Sequence, residues 1–586
     1  MKIDTEKIFL AAYFLLMMWL GLGTLWGHTL SHDFPYGYSS SDAYQHQARV
    51  EWVKESGSYA HEYPGIVSGF KDVIGYYMPG GFQISAAFSH ASGLPSYDAL
   101  YFMVYFSAIL AGLVLYFAIR TYDKNVAMLS LPITTLIFAK TFYIGILLGQ
   151  WPFTFGTLFL AGSFWALARL EIKKSAFLVA LFVAAVAVTH TSELVFVVGL
   201  VGIAFLLSIM KKEWAKAKAL VAAGVMALAA GLYYIIIFTY TWGKQFGYHF
   251  DIEHVNQGFP NVHLFGDFQL WILVIMVAGM VGIYYRNAII AFASGIVFVA
   301  AVKLLNIPAM ITSDFMVLAT YGAFILLFLF VLWKRKPEIV KVFGPYMLII
   351  GYASFIGFSA RAFQTRFMWP VTLAVLFGMG MHRLIIFAEK NTKIKWNPSY
   401  SAAIAVVIAA ALIAMNYSPL ATQGTMYPER WEMFQWMQEN ADSEANVLFF
   451  YGDGYDQTSM LYNSGLDNYL VSFDDYVDGL NKQAIKREYI VARNMDYGPG
   501  LPYRKGLLDF RYHLYELPDP NYDVCSYDYY VLDKVTGREQ LAPLVQYNNA
   551  IRQQFANNGM DVVFENEATA VLKNNNKGGD CIGQAA

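Results

Sequence analysis

The sequence predicts an α-helical polytopic membrane protein of about 13 spanning helices, followed by an extracytoplasmic C-terminal α/β domain. Three observations predict it. First, 57% of the 586 residues are hydrophobic and 14% are charged, where a soluble chain carries about 25% charged residues. The apolar excess falls in blocks between Phe9 and Met415 and then stops. Second, the charge divides at the same place: from Thr422 onward there are 24 acidic and 13 basic residues, against 19 acidic and 28 basic before it. Third, Lys and Arg recur in every second loop, as in loops that stay on the cytoplasmic side. Neither half has the Lys/Arg density of a nucleic-acid binder, so no nucleic-acid partner is expected.

A helix crosses the hydrocarbon core with about 20 apolar residues. On that measure the spans are 8–30, 98–119, 126–146, 151–168, 175–189, 194–210, 219–241, 269–285, 288–304, 316–333, 342–358, 368–388 and 400–416. The stretch from Ile8 is too long for the core of a secretory signal, and no A-x-A-like site follows it, so it reads as the first span. The fifth and sixth are short and form a tight hairpin about 189–193, so neither is expected to cross fully. The basic loops carry Arg120 and Lys124; Arg169, Lys173 and Lys174; Lys211, Lys212, Lys216 and Lys218; Arg286; Lys334, Arg335, Lys336 and Lys341; and Arg383, Lys390, Lys393 and Lys395. Their parity places the N-terminus in the cytoplasm, and an odd number of spans places the tail outside the cell membrane.

The expected division is therefore a membrane domain over 1–418, with a long first outer loop at 31–97, and a soluble domain over 419–586. The outer face also holds a loop at 242–268 and short ones at 145–151, 305–315 and 359–367. A transporter has short loops on both faces; here the loop mass lies on one face, where work is expected. In the tail, Trp431, Phe434 and Met437 recur three apart within a helix over Pro428–Asn440. Residues 447–451 and 529–532 read as strands, 541–557 as a helix, and 561–564 with 569–572 as a hairpin-like pair. Cys525 and Cys581 both lie in the tail and can form one disulfide in an oxidising compartment or stay as free thiols. Clustered tyrosines such as Tyr522, Tyr527, Tyr529 and Tyr530 can stack on sugars, although core packing is the commoner use.

The most informative stretch follows the first span: Ser39-Ser40-Ser41-Asp42-Ala43-Tyr44-Gln45-His46-Gln47-Ala48-Arg49. A carboxylate at the rim of a membrane cavity can act as a general base on an acceptor hydroxyl or amide. Asp42 can equally be the N-cap of a short helix over 43–55. Between the eleventh and twelfth spans, Arg361 and Arg366 are an outer pair of guanidinium groups suited to a phosphate or pyrophosphate, or to headgroups by snorkelling. At the hairpin tip, His190 and Glu193 can line a site or simply tighten the turn. His249, Asp251, Glu253 and His254, and further on Asp314, are candidate metal ligands, since carboxylate and imidazole suit Mg, Mn or Zn. Their spacing matches no defined site, and a solvated loop explains the first four as well.

Asp-x-x-x-His-x-x-Arg over Asp42, His46 and Arg49, then Gly75-Tyr76-Tyr77-Met78-Pro79-Gly80-Gly81-Phe82 before the second span, resembles the first outer loop of GT-C superfamily glycosyltransferases. That superfamily includes the catalytic subunit of oligosaccharyltransferase, protein O-mannosyltransferases and the lipid A aminoarabinose transferase. The layout is similar along the whole chain, the sequence only over 39–110. The resemblance implies an enzyme that moves a sugar from a polyprenyl phosphate or pyrophosphate carrier at the outer face. It gives the catalytic or metal-binding acid to Asp42, with Asp33 second, and the carrier phosphate to the Arg361/Arg366 region. Two departures separate the chain from the oligosaccharyltransferase branch. The second outer loop reads Gly145-Ile146-Leu147-Leu148-Gly149-Gln150-Trp151-Pro152, with no acid. The tail has Tyr451-Gly452-Asp453-Gly454-Tyr455-Asp456 in place of a Trp-Trp-Asp-Tyr-Gly motif.

The expectation is thus an inverting GT-C-type glycosyltransferase with Asp42 as general base. Arg361 and Arg366 would hold the carrier phosphate, and His46, Arg49, Gln150, His190 and Glu193 would contact substrate. The partners are the lipid bilayer, a polyprenyl-phosphate-linked sugar donor, and a glycan, lipid or protein acceptor. The cofactor stays open, a divalent cation such as Mg or Mn being compatible. The alternatives are a transporter or flippase of a lipid-linked glycan, which needs charged residues at mid-depth where only Lys140 and Lys303 come near, and a non-catalytic surface protein anchored by its spans.

Overall fold

The computed structural model describes residues 4–38, 41–63, 78–139, 149, 151–170, 174–245, 270–284, 287–304, 368–392, 396–417, 424, 426–442, 444–450, 467–471, 473–482, 485–487, 491–492, 523–536, 539 and 542–583. Helices fall on eleven of the thirteen expected spans; 316–333 and 342–358 lie outside the described residues. The membrane-domain helices are α1 (Thr5–Leu25), α2 (Ser41–Ser56), α3 (Gly80–Ser92), α4 (Ser96–Arg120), α5 (Lys124–Thr134), α6 (Pro152–Leu167), α7 (Ser175–Ala187), α8 (Thr191–Met210), α9 (Trp214–Gln245), α10 (Leu270–Tyr284), α11 (Ala288–Leu304), α12 (Ala374–Asn391) and α13 (Pro398–Asn416). Among the described residues four stretches are long and apolar enough to cross a membrane: Thr5–Leu25, Ser96–Arg120, Trp214–Tyr234 and Pro398–Asn416. Six shorter apolar helices accompany them. The chain is accordingly a multi-pass membrane protein. Leu15, Trp19, Val198, Leu206, Ile236 and Val297 are exposed on these helices, as suits side chains facing lipid rather than water.

Polar anchors fix the helix ends. Asp4, Asp123 and Asn397 cap α1, α5 and α13 by accepting backbone N–H groups in the next turn, which satisfies donors that have no partner within the helix. At one end of the bundle the buried Glu6 carboxylate accepts from Tyr116 (2.5 Å) and Arg120 and pairs with Lys124 (2.7 Å). This clamps α1 to the end of α4 and the start of α5. Pro132 removes a backbone donor from α5, which tightens into a 3-10 turn at Thr135–Phe138.

The opposite end of α4 carries the first loop and the tail. The loop is more structured than its length suggested, because α2 and α3 both lie in it. α3 buries Phe82, Ser85, Ala86 and Ser89 along one stripe, a helical spacing within a segment read as loop. α2 starts earlier than expected. Asp42 lies inside its first turn, not at its N-cap, a position where a carboxylate still meets the positive end of the helix dipole.

In the tail, α14 (Pro428–Asn440) precedes β1 (Asn446–Phe449), β2 (Asp467–Val471), α15 (Phe473–Lys482), β3 (Val491–Ala492), β4 (Tyr529–Asp533), α16 (Ala542–Asn557), β5 (Asp561–Glu565) and β6 (Thr569–Lys573). The described strands form one sheet in the order β3-β2-β1-β4-β6-β5. β1 runs parallel to β2 and β4, while the β2–β3, β4–β6 and β6–β5 pairs are antiparallel. The central strands read as unbroken apolar runs because Val447–Phe449 and Tyr529–Leu532 are buried. Cys525 and Cys581 are joined by a disulfide with Cα atoms 5.4 Å apart. The tail is seated on the first loop: Gly424 N–H donates to the Tyr36 carbonyl (2.6 Å), and Trp431 meets Tyr97 edge-on at 5.7 Å.

Candidate functional site

Asp42 is half-buried at the start of α2, on the tail's side of the bundle. The second outer loop closes directly on it. Gly149 has φ +73°, and a Cβ there would lie 2.8 Å from the Asp42 carbonyl carbon and 2.9 Å from its Cβ. Only glycine accepts both the left-handed backbone and that approach. Two residues on, Trp151 N–H donates to the Gly149 carbonyl (2.8 Å). The buried Trp151 indole packs against Tyr38 (5.1 Å), Tyr101 (5.7 Å) and His46 (5.9 Å). Tyr38 OH donates to the Tyr97 carbonyl (2.8 Å) and Tyr44 OH to the Tyr38 carbonyl (3.1 Å). Burial, then the charge of Asp98, pushes the Tyr38 hydroxyl well above its ordinary value, so it stays a donor. The result is an aromatic wall fastening α2, the 34–38 segment and α4 behind Asp42.

His46 is buried in that wall, its ring 5.4 Å from Phe82. Arg49, one turn further, was expected to contact substrate; it is fully buried and engaged elsewhere. Its Nε and Nη2 donate to Glu62 at 3.0–3.1 Å, and Tyr59 OH also donates to Glu62 (2.8 Å). The ion pair pins the return of the first loop onto α2. Sequence reasoning missed Glu62, whose single acidic letter carries no spacing signal.

The glycines that open α3 explain the next join. Gly80 N–H donates to the Val188 carbonyl (2.7 Å), and a Cβ at Gly80 would lie 2.6 Å from that oxygen. A Cβ at Gly81 would meet Phe155 at 3.0 Å. The paired glycines thus let the α7–α8 hairpin and α6 approach the start of α3. At the hairpin tip His190 is the N-cap of α8, with extended backbone, and its N–H already donates to the Val186 carbonyl (3.0 Å). Glu193 stands at the position from which a capping-box glutamate reaches back to the N-cap N–H. Since that N–H is taken, Glu193 Oε2 accepts from the His190 ring at Nδ1 instead. Glu193 is 1% exposed, and its other oxygen, Oε1, is buried without a hydrogen-bond partner among the described residues. Gly156 of α6 makes room: a Cβ there would lie 2.8 Å from Glu193 Oε2 and 3.1 Å from His190 Cβ.

One element therefore touches both halves of the site. Its approach, Gly149, lies on Asp42, and Gly156 lies on the His190–Glu193 pair. His46 lies in the aromatic wall beside Trp151, and His190 and Glu193 lie against α6 at Gly156. Gln150, Arg361 and Arg366 lie outside the described residues, as do Lys140, His249, Asp251, Glu253, His254 and Asp314. Among the described residues no group of three or more His, Cys, Asp or Glu side chains lies together as a metal site. Gly149 and Gly156 were also missed from sequence; a glycine within the apolar run of α6 was the available signal.

No family model and no curated protein sequence matches the chain. Solved structures of GT-C glycosyltransferases are its structural neighbours. The archaeal oligosaccharyltransferase AglB from Archaeoglobus fulgidus, solved with an inhibitory peptide and a dolichol-phosphate, gives a TM-score of 0.46 at 12% identity, over 96% of this chain and 74% of its own. ArnT from Cupriavidus metallidurans bound to undecaprenyl phosphate gives 0.40 at 11% identity, over 97% of this chain and 99% of its own. At such identity the likeness assigns no residue a role.

Proposed function

We propose that the chain is an inverting glycosyltransferase that moves a sugar or glycan from a polyprenyl-phosphate-linked donor to a glycan, lipid or protein acceptor at the outer membrane face. Asp42 is its general base. The observation that carries this reading is the placement of Asp42. A half-buried acidic residue at a helix start has its backbone and Cβ met by Gly149 of the second outer loop, on the side of the bundle where the tail sits. In that position it can take the proton of an acceptor hydroxyl as the hydroxyl oxygen attacks the anomeric carbon from the face opposite the departing phosphate. The tail, fastened to the segment before Asp42 by Gly424, shapes the acceptor side. Arg361 and Arg366 hold the carrier phosphate by paired, charge-assisted hydrogen bonds. Arg49 and His46 act here by holding α2 in place.

The test is transfer from a polyprenyl-phosphate-linked sugar, read by mass spectrometry, with purified Asp42→Asn and Arg366→Ala. Loss of the base is expected to lower kcat by about 10²-fold or more, and loss of the guanidinium to raise KM for the donor. Unchanged transfer by both variants overturns the reading.

A further inference from the structure

We infer that the end of the bundle away from the tail binds the headgroup of an anionic phospholipid, at the α6–α7 and α8–α9 turns. This site is independent of the transferase reading and lies at the opposite end of the membrane domain from Asp42. The chain path puts both turns there. α6 starts at Trp151, in the wall behind Asp42, and α8 starts at the hairpin tip, where the Val188 carbonyl holds Gly80. α6 and α8 therefore end away from the tail, and α7 and α9 begin there. α9 then returns to the first loop, where Tyr233 OH donates to the Ala60 carbonyl (3.4 Å). α7 packs on both α6 and α9, so the two turns belong to one group of helices.

Residues 168–174 and 211–218 carry seven basic and two acidic side chains, and a basic cluster of this size beside a span suits anionic headgroups. Glu171 and Lys173 lie outside the described residues. Glu213, the other acid, pairs with Lys216 (3.0 Å). Among the described residues, Lys174, Lys211, Lys212 and Lys218 have no acidic partner. At the end of α4 the charges are matched instead, Glu6 holding both Arg120 and Lys124. The backbone singles out two of the lysines. Lys174 has φ +83° and Lys212 φ +59°, and no other non-glycine residue among those described has a positive φ. At the end of α8, Lys212 N–H donates to the Ile209 carbonyl (2.9 Å) and Glu213 N–H to the Ser208 carbonyl (2.8 Å). In that helix ending the left-handed position normally falls to glycine. Lysine there costs backbone stability that glycine would not. A cation near this terminus complements the α8 dipole, but Lys211 already supplies one.

The neighbouring surface says what the lysines meet. Phe177, Leu181, Leu206 and Val221 are exposed within about two turns of these helix ends. Trp214, 58% exposed, opens α9, and the Arg169 guanidinium lies over the Trp165 ring at 5.2 Å. Indoles favour the boundary between hydrocarbon and water, so the lysines stand at headgroup level with lipid-facing side chains directly below. A ligand that satisfies both is a phosphate ester anion carrying acyl chains. A free phosphate would satisfy the lysines alone.

The experiment takes the full chain from mixed micelles holding equal phosphatidylglycerol and phosphatidylcholine, and reads the lipid it retains by native mass spectrometry. Wild type is expected to retain phosphatidylglycerol preferentially. One basic residue near an anionic surface is worth about fivefold, so Lys174→Gln, Lys211→Gln and Lys212→Gln together should lower the preference about 10²-fold. Lys212→Gly guards against misfolding as the cause: it should raise the unfolding midpoint in phosphatidylcholine, by relieving the backbone, while lowering the preference about fivefold. Lys482→Gln, Lys486→Gln and Lys577→Gln, an equal loss of charge in the tail, should leave the preference unchanged. Equal retention of the two lipids by wild type overturns the inference. So does a preference that survives the triple substitution at the turns, or one that falls as far with the tail lysines. Inorganic phosphate is the last probe: if it raises the midpoint in detergent as far as phosphatidylglycerol does at the same concentration, the lysines hold a free anion and the lipid site is refuted.

Discussion

Two buried glutamates, Glu62 and Glu193, are treated oppositely. Glu62 accepts from Arg49 through both oxygens and from Tyr59, and both members of the ion pair are fully buried. Glu193 accepts through one oxygen from a partly exposed ring, and its second oxygen has no partner among the described residues. A carboxylate engaged through both oxygens is held in one geometry, whereas one engaged through a single oxygen is held less completely. Burial alone does not separate the two, since both carboxylates are nearly inaccessible. The count of donors on each oxygen does.

The largest effect should come from breaking the scaffold pair. Glu62→Gln leaves the Arg49 guanidinium buried without its counter-charge, and removing one member of such a pair costs about 3–5 kcal/mol. Thermal unfolding in detergent should show a large fall in midpoint. The fall should precede any specific change in the pH profile, because neither residue handles a proton. An unchanged midpoint would mean that α2 is held by the aromatic wall alone, and the contrast between the two glutamates would lose its first half.

A smaller and more selective effect is expected from Gly156→Ala. Replacing a helix-interior glycine by alanine gains about 0.5–1 kcal/mol of backbone stability. Here the new Cβ would meet Glu193 Oε2 at 2.8 Å, so the pair must shift by some tenths of an ångström. Stability should therefore change by less than about 1 kcal/mol while transfer falls several-fold, measured as kcat beside the melting midpoint. A parallel loss of both would place Gly156 in packing rather than in the placement of His190.

Much of the scaffold was legible before the structure. The apolar blocks located the helices, because burying a hydrogen-bonded backbone in lipid leaves few other solutions. The tail strands were legible for a related reason: runs such as Tyr529–Leu532 are buried on both faces of the sheet. The bond between Cys525 and Cys581 was one of two readings that an outer compartment allows. The site was less legible. Asp42 could be singled out as an acid after a span, but its place within the first turn of α2 depends on how Gly149 lands on it, and that contact joins residues more than a hundred apart in sequence. Glu62 carried no signal, since the value of its charge comes wholly from Arg49. The two readings of His190 and Glu193, substrate contact or hairpin fastener, stood level because sequence gives the spacing of the two residues and not the donor count on each oxygen.

The smallest expected effect decides between those two readings. Glu193→Gln removes a charge-assisted hydrogen bond to His190, worth about 1.5–3 kcal/mol, and at the same time removes an anion whose second oxygen had no donor. The two terms oppose each other at similar size, so the unfolding free energy should move by less than about 1 kcal/mol in either direction. Glu62→Gln offers no such cancellation, because both oxygens of that carboxylate are engaged. Measured side by side in the same detergent, the two substitutions should differ severalfold in midpoint shift. If Glu193→Gln unfolds the chain as readily as Glu62→Gln does, the pair at the hairpin tip is a fastener of α7 to α8.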